Sequence, residues 1–328
     1  MSQELILVIA LALVFDFLNG MRDASNIVAT MISSRAFTPR AALGIAAVGE
    51  FLGPFLFGVV VAETIGDEIV QSDVLSLEVI GAALVGAIIW NLITWYFGLP
   101  GSSSHALIGG MVGAVIVGAS LEAIKFDGLS RVLIALFTSP LIGFLVGFMM
   151  TRLIYFLARG ASPRINSFFR RSQLVTAVAM AFSHGTNDAQ KTMGIIALSL
   201  VIGGVLPTFR VPTWVVAVSA AAIAVGTSLG GWRLIRTLGG KFYKIRPLHS
   251  FATQSSSAGV ILAASFFGFP VSTSQIVSSA IIGVGSAERA SKVRWSVAED
   301  IVTSWLITIP ASGLLAAGVY WLIVSFKQ

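Results

Sequence analysis

Cysteine is absent, so disulfides and thiolate metal sites are excluded. Charge is scarce. Asp, Glu, Lys and Arg make up 11% of the 328 residues, against about 25% in a soluble domain. With 56% hydrophobic residues and a mean hydropathy of +0.90, too little polar sequence remains to coat a soluble core. The N-terminus lacks a basic segment. Met1-Ser2-Gln3-Glu4 leads into an apolar run that continues into a polar motif rather than a small-residue cleavage site, so no secretory signal is expected. The net charge of +6 sits mostly in short loops between apolar runs, which gives no case for nucleic acid as a partner.

What is present is a set of long apolar runs: Leu5–Leu18, Ala41–Ala62, Val79–Leu99, Val132–Met150, Trp214–Leu229 and Ile301–Val324. Several reach the roughly 20 residues that cross a hydrocarbon core. The expected fold class is an all-α polytopic membrane protein. It is also internally duplicated. Asn19-Gly20-Met21-Arg22-Asp23-Ala24-Ser25-Asn26 pairs with His184-Gly185-Thr186-Asn187-Asp188-Ala189-Gln190-Lys191. Pro100-Gly101-Ser102-Ser103-Ser104-His105 pairs with Pro270-Val271-Ser272-Thr273-Ser274-Gln275. Ala47–Gly53 pairs with Ala224–Gly230, and Pro140 with Pro310. Four matches in the same order divide the chain into repeat 1 (1–158), a linker (159–171) and repeat 2 (172–328). Paired, Gly/Pro-interrupted segments in a duplicated membrane chain point to a transporter with a central site.

Loop charge sets the orientation. Glu63–Glu78 holds five acids and no Lys or Arg, whereas its counterpart, Arg233–Arg246, holds Arg233, Arg236, Lys241, Lys244 and Arg246 and no acid. Equivalent loops of opposite charge predict opposite membrane faces, hence inverted-topology repeats. Arg35 and Arg40, Arg159 to Arg171, and Arg289 to Arg294 then join the basic loop in the cytoplasm. Both termini are predicted to be extracellular, and segments 78–121 and 249–288 must turn back within the membrane.

Polar residues inside the spans mark function, because each charge costs roughly 2.5–3.5 kcal/mol at the membrane centre. Asp23 and Asp188 occupy the same place in both repeats, each with a Gly three residues earlier and amides close by: Asn26 in one, Asn187 and Gln190 in the other. Gly20 and Gly185 predict broken helices with freed carbonyls. Carboxylate, amide and carbonyl oxygens together suit Na⁺, with Asp23, Asn26, Asn187, Asp188 and Glu50 as ligands. Helix capping or interhelical glue is the plainer reading of the same side chains. Glu50 breaks the symmetry, since its counterpart is Thr227; a cation ligand, a proton site and a salt-bridge partner all remain open for it. Asp16 pairs with Arg22 or acts on its own, and Arg22 and Lys191 are expected to neutralise carboxylates. His249 is read as an exposed packing residue.

Pro suits the first turn of a helix. The hydroxyls of Ser102, Ser103 and Ser104, and of Ser272, Thr273 and Ser274, sit beside such starts, where unpaired N–H groups and the dipole favour anions. Two inverted helix starts converging on one tetrahedral oxyanion need no Arg pair. Gln190 and Asn26 are further candidate contacts.

Gly20-x-x-Asp23-x-x-Asn26 followed by Val28-Ala29-Thr30, and Ala181-Phe182-Ser183-His184-Gly185-Thr186-Asn187-Asp188-Ala189-Gln190-Lys191, resemble the two signature motifs of the PiT inorganic phosphate transporters. The resemblance spans nearly the whole chain. It implies an inverted-repeat helical fold and cation-coupled phosphate uptake across the plasma membrane, without enzymatic activity or a cofactor. Many members carry Gly-x-Asn-Asp in both motifs; here Arg22 replaces the first amide. The neutral oxygen ligands favour Na⁺ as coupling ion, while His105, His184 and Glu50 keep a proton-coupled or metal-phosphate symporter as the alternative. The expected partners are inorganic phosphate, Na⁺ or H⁺, and the lipid bilayer, with a homodimer as the assembly. Two membrane aspartates also invite an intramembrane aspartyl protease, but its Gly-x-Gly-Asp motif is absent and the Pro-Ser pairs go unexplained. A passive channel would more naturally arise from a ring of subunits.

Overall fold

The computed structural model describes residues 1–99, 101–162, 164–241 and 245–327, apart from the side chains of Asp73, Arg233, Gly240, Lys241, Lys292 and Lys327. Pro100 and Lys244, named above, lie outside the described residues. The chain is helical throughout, and among the described residues its only β-contact is an isolated bridge between Val70 and Ile124.

The first half of the chain runs α1 (Gln3–Ser33), α2 (Pro39–Phe57), α3 (Val60–Glu63) passing into a π-turn, α4 (Leu77–Phe97), α5 (Ser103–Gly118) and α6 (Phe126–Leu157). The second half gives the same series: α7 (Ile165–Ile202), α8 (Thr213–Leu229), α9 (Trp232–Arg236) passing into a π-turn, α10 (Pro247–Phe266), α11 (Thr273–Arg289) and α12 (Trp295–Lys327). Among the described residues, five helices are long and apolar enough to cross a membrane: α1, α2, α4, α6 and α12. Local chemistry sets the boundaries. Thr38 accepts from Ala41 N ahead of Pro39, which starts α2. α4 ends on Gly98 at φ 67°, a left-handed turn open to glycine, and Gly268 does the same after α10 at φ 73°. Each turn sends the chain back as a hairpin, α4–α5 or α10–α11, as the loop charges predict.

The two halves of the chain pack reciprocally: α1 on α8 and α2 on α7, α5 on α12 and α6 on α11. The equivalent helices α1 and α7 run antiparallel. Ser34 Oγ donates to Gln173 at one end, and Leu5 abuts Gly203 at the other.

Gly20 and Gly185 do not break their helices; α1 and α7 run through them. Their missing side chains serve packing instead. A Cβ on Gly20 would lie 2.1 Å from the Ile223 carbonyl oxygen of α8, and one on Gly185 would lie 2.5 Å from the Glu50 backbone of α2. Small residues let membrane helices cross at backbone contact, so the signature glycines bring α8 and α2 against the polar stripes. The chain is interrupted elsewhere, at the hairpin turns and the π-turns.

Candidate functional site

The stripes of α1 and α7 meet the tips of both hairpins at the centre of the molecule. Asp23, His184 and Asp188 are buried, and each places one ligating atom within 4.8 Å of the others. The hairpins supply hydroxyls. Ser274 Oγ donates to Asp23 Oδ1 at 3.0 Å and Ser103 Oγ reaches Asp23 Oδ2 at 3.4 Å. Thr273 Oγ1 donates to Asp188 Oδ2 at 2.9 Å. Asn26 Nδ2 donates to Ser274 Oγ at 3.0 Å. Ser104 Oγ donates to the Val271 carbonyl at 3.0 Å, tying one tip to the other.

Cations hold the tips in place. Lys191 donates to Asp188 Oδ1 and, at 2.9 Å, to the Val271 carbonyl. Arg22 donates to Asn91 Oδ1 on α4 and, at 3.3 Å, to the Gly101 carbonyl. Gly101 and Val271 are equivalent positions, so each repeat anchors a hairpin tip by one long cationic side chain. Arg22 is thus a tip anchor rather than the partner of Asp16.

Equivalent residues also face each other. Asp23 meets Asp188, the Thr227 hydroxyl donates to Glu50 Oε2, and His105 Nε2 lies 3.5 Å from Gln275 Nε2. Such pairs bring matched positions of the two halves of the chain together in this cluster. Glu50 stands one layer back. Its other oxygen lies 2.7 Å from His184 Nδ1, and His184 Nε2 lies 3.3 Å from Asp188 Oδ2, so the imidazole bridges the two acids.

A model of the phosphate transporter family matches residues 19–316. The chain belongs to that family. A relative from Bacillus subtilis (strain 168), named a probable low-affinity inorganic phosphate transporter, is 43% identical over 97% of this chain and 96% of its own. One of the same name from Rhizobium meliloti (strain 1021) is 45% identical over 95% and 94%. A solved structure titled "The sodium-dependent phosphate transporter" superposes with a TM-score of 0.89 at 26% identity, covering 98% of this chain and 99% of that one. The chain is therefore an integral membrane phosphate transporter and not an enzyme, which sets the aspartyl protease aside.

Several expected residues fall elsewhere. Ser102 caps α5, its Oγ accepting from His105 N at 3.1 Å and lying 2.7 Å from His105 Nδ1. Ser272 caps α11 through Gln275 N at 3.4 Å. Gln190 turns away from the cluster, because two residues beyond Asp188 is the opposite helix face. Its Oε1 accepts from Val61 N at 2.8 Å and Ala62 N at 3.3 Å, capping α3. Asn187 Nδ2 donates to Ser265 Oγ at 2.9 Å and the Phe269 carbonyl at 3.2 Å, bracing the second tip. His249 is buried rather than exposed, 3.3 Å from Glu288. Asn91 was missed altogether. Nothing in the run Trp90-Asn91-Leu92 marks it, beyond being an amide inside an apolar span.

Proposed function

We propose that the chain is a sodium-coupled inorganic phosphate symporter working by alternating access, with its site between two inverted repeats. One observation carries the coupling: the buried centre holds more acid than base. Asp16, Asp23, Glu50 and Asp188 are each at most 2% exposed, against Arg22, Lys191 and His184. Even with His184 counted as a cation, four carboxylates face three cations. An anion entering that region meets uncompensated negative charge in a poorly screened interior. Cations must enter with it. The solved neighbour's title names sodium for that protein, and the oxygen-rich cluster here suits the same ion.

The hydroxyls link the two ligands. In the structure the O–H groups of Ser103, Thr273 and Ser274 point at Asp23 and Asp188. Na⁺ seated between carboxylate and hydroxyl oxygen takes the lone pair and turns the hydrogen outward. Those hydrogens, with the N–H groups starting α5 and α11, then donate to phosphate. Ion binding thereby builds the anion site. Asp23, Asn26 and Asp188 serve Na⁺; Ser103, Ser104, Thr273 and Ser274 serve phosphate. Glu50 orients His184.

The inverted relation is supported by the antiparallel run of α1 and α7, which places the basic loops at one end and the acidic loop at the other. The protein then lies in the plasma membrane with both termini extracellular and the apolar outer faces of the long helices, such as Leu141 and Leu314, against lipid. Phosphate uptake into proteoliposomes under separately imposed Na⁺ and proton gradients tests the reading. Uptake is expected to follow Na⁺ and to accelerate under an inside-negative potential. Uptake that persists without Na⁺ and follows the proton gradient overturns it. Sulfate should compete poorly, because it has no O–H to offer the carboxylates and would leave a buried acceptor unpaired; equal competition would widen the substrate to oxyanions at large.

A further inference from the structure

The basic-loop end carries a groove that the transport site does not use. Its volume is about 590 Å³, and Ala36, Phe37, Ser167, Arg170, Arg171 and Leu174 line it. One wall is the turn after α1. Arg35 takes φ 58° there, and Ala36 N donates back to the Met31 carbonyl at 3.2 Å, so α1 closes with a left-handed cap. The other wall is the start of α7, where Arg170 and Arg171 are both exposed. No acid close in sequence offsets them: there is none from Ala24 to Gly49 and none from Gly128 to Asn187. The ion pairs among the described residues engage Arg131 and Arg246 but neither of these two.

Charge makes the occupant an anion, and the surroundings say which kind. Phe168 is 60% and Val175 71% exposed. Arg171 lies three residues after the first and four before the second, so the three share one helix face. Leu174, also exposed, stands four residues after Arg170 on the next. Cationic heads among exposed aromatic and aliphatic side chains are the pattern of a helix at the membrane–water boundary. A soluble anion would meet the arginines and leave the apolar surface bare. A phospholipid covers both. Its phosphodiester suits the guanidinium forks of Arg170 and Arg171, and its glycerol and first acyl carbons suit Phe37 and Leu174. A headgroup bearing an ammonium would bring a third positive charge to the two arginines. We propose that this groove binds an anionic phospholipid, of the phosphatidylglycerol kind, from the leaflet at the basic-loop end. Bound there, the lipid spans the α1–α2 turn and α7, the parts that Ser34 Oγ joins by donating to Gln173 at 2.9 Å.

The test titrates phosphatidylglycerol, phosphatidylcholine or inorganic phosphate into the purified full chain in detergent. Native mass spectrometry reads the bound lipid, and thermal unfolding reads its effect. The native chain is expected to retain phosphatidylglycerol and to unfold at a higher temperature with it, and to do neither with phosphatidylcholine. Arg170→Gln combined with Arg171→Gln should weaken phosphatidylglycerol binding about thirtyfold, or about fivefold per arginine. Arg289→Gln combined with Arg294→Gln removes equal charge from the same end and should weaken it no more than about twofold. Both double variants should unfold like the native chain in phosphatidylcholine, since all four arginines are exposed. Equal losses in the two double variants would reduce the effect to the general field of the basic loops and overturn the site. Displacement of the lipid by inorganic phosphate would make the ligand a soluble anion, and a dimer that excludes the lipid would make it a second copy of this chain; either overturns the lipid. No readout involves Na⁺, so the outcome is independent of the coupling ion.

Discussion

Positions that align between the two halves of the chain carry opposite chemistry on either side of the central cluster. On α10, Ser250, Thr253, Gln254 and Ser257 line up with Ile80, Ala83, Leu84 and Ala87 on α4. All eight are buried. The α4 set sits in a continuous apolar cluster with Leu5, Val8, Ile195 and Leu198. The α10 set forms a polar column through the other half. Gln254 accepts from Thr176 on α7 at 2.6 Å and donates to Thr30 on α1 at 3.4 Å. Nearer the end of the bundle, Gln173 accepts from Ser34 at 2.9 Å and donates to the Pro247 carbonyl at 3.2 Å. The Oγ atoms of Ser250, Thr253 and Ser257 are without hydrogen-bond partners. The two halves of the chain thus share a helix series while their packing around the central cluster differs. One end is sealed by dry packing. The other is closed by hydrogen bonds that water can replace.

Where the repeats agree, disruption should be greatest. Asp23→Asn and Asp188→Asn remove the charge on which both ion binding and hydroxyl orientation depend. Each is expected to lower coupled uptake about 100-fold or more, equivalent to about 2.7 kcal/mol, with membrane expression intact. If both variants keep near-normal cation dependence, the shared centre is wrongly placed.

Where the repeats differ, exchanging the chemistry should hurt mainly the dry side. Leu84→Gln puts the α10 residue into the α4 position. Leu84 sits inside an apolar cluster, so the amide is buried without a partner and apolar contact is lost, for a cost of roughly 3 kcal/mol. A clear fall in thermal unfolding temperature in detergent is expected. A variant as stable as the native chain would mean that the α4 side is wet too, and the contrast would disappear.

Much of this was legible in the sequence, for a physical reason. The all-helical membrane class, the Asp23 and Asp188 motifs and the Ser/Thr hairpin tips are patterns within one segment or between aligned segments. The loop charges likewise announced the turns now seen at Gly98 and Gly268. What stayed hidden depends on which helices touch. Gly20 and Gly185 read as hinges because glycine permits both bending and close crossing, and only the partner helix shows which is used. Gln190 sits inside the motif yet faces away, since two steps along a helix reverse the direction. Arg22 finds Asn91 across 69 residues of sequence, a distance no local pattern spans. Glu50 was an intermediate case. Its alignment with Thr227 marked a broken symmetry, and only the packing shows that the two side chains meet.

The smallest expected effect concerns the wet side. Gln254→Leu gives α10 the residue found on α4 and removes two interhelical hydrogen bonds, each worth about 0.6 kcal/mol on average and at most about 1.7 in membrane proteins. Stability should barely change. The gate should open more often, and the absence of native cysteine makes that measurable with one introduced thiol. Ser257 lies one turn deeper than Gln254, so modification of Ser257→Cys by a hydrophilic thiol reagent reports opening from the basic-loop end. Adding Gln254→Leu is expected to speed that modification about fivefold, as a loss of about 1 kcal/mol from the closed state implies. Ala87→Cys, the equivalent position on the dry side, should stay unreactive in both backgrounds. If Ser257→Cys and Ala87→Cys react alike, or if Gln254→Leu leaves the rate unchanged, hydrogen bonding at Gln254 does not hold that end shut.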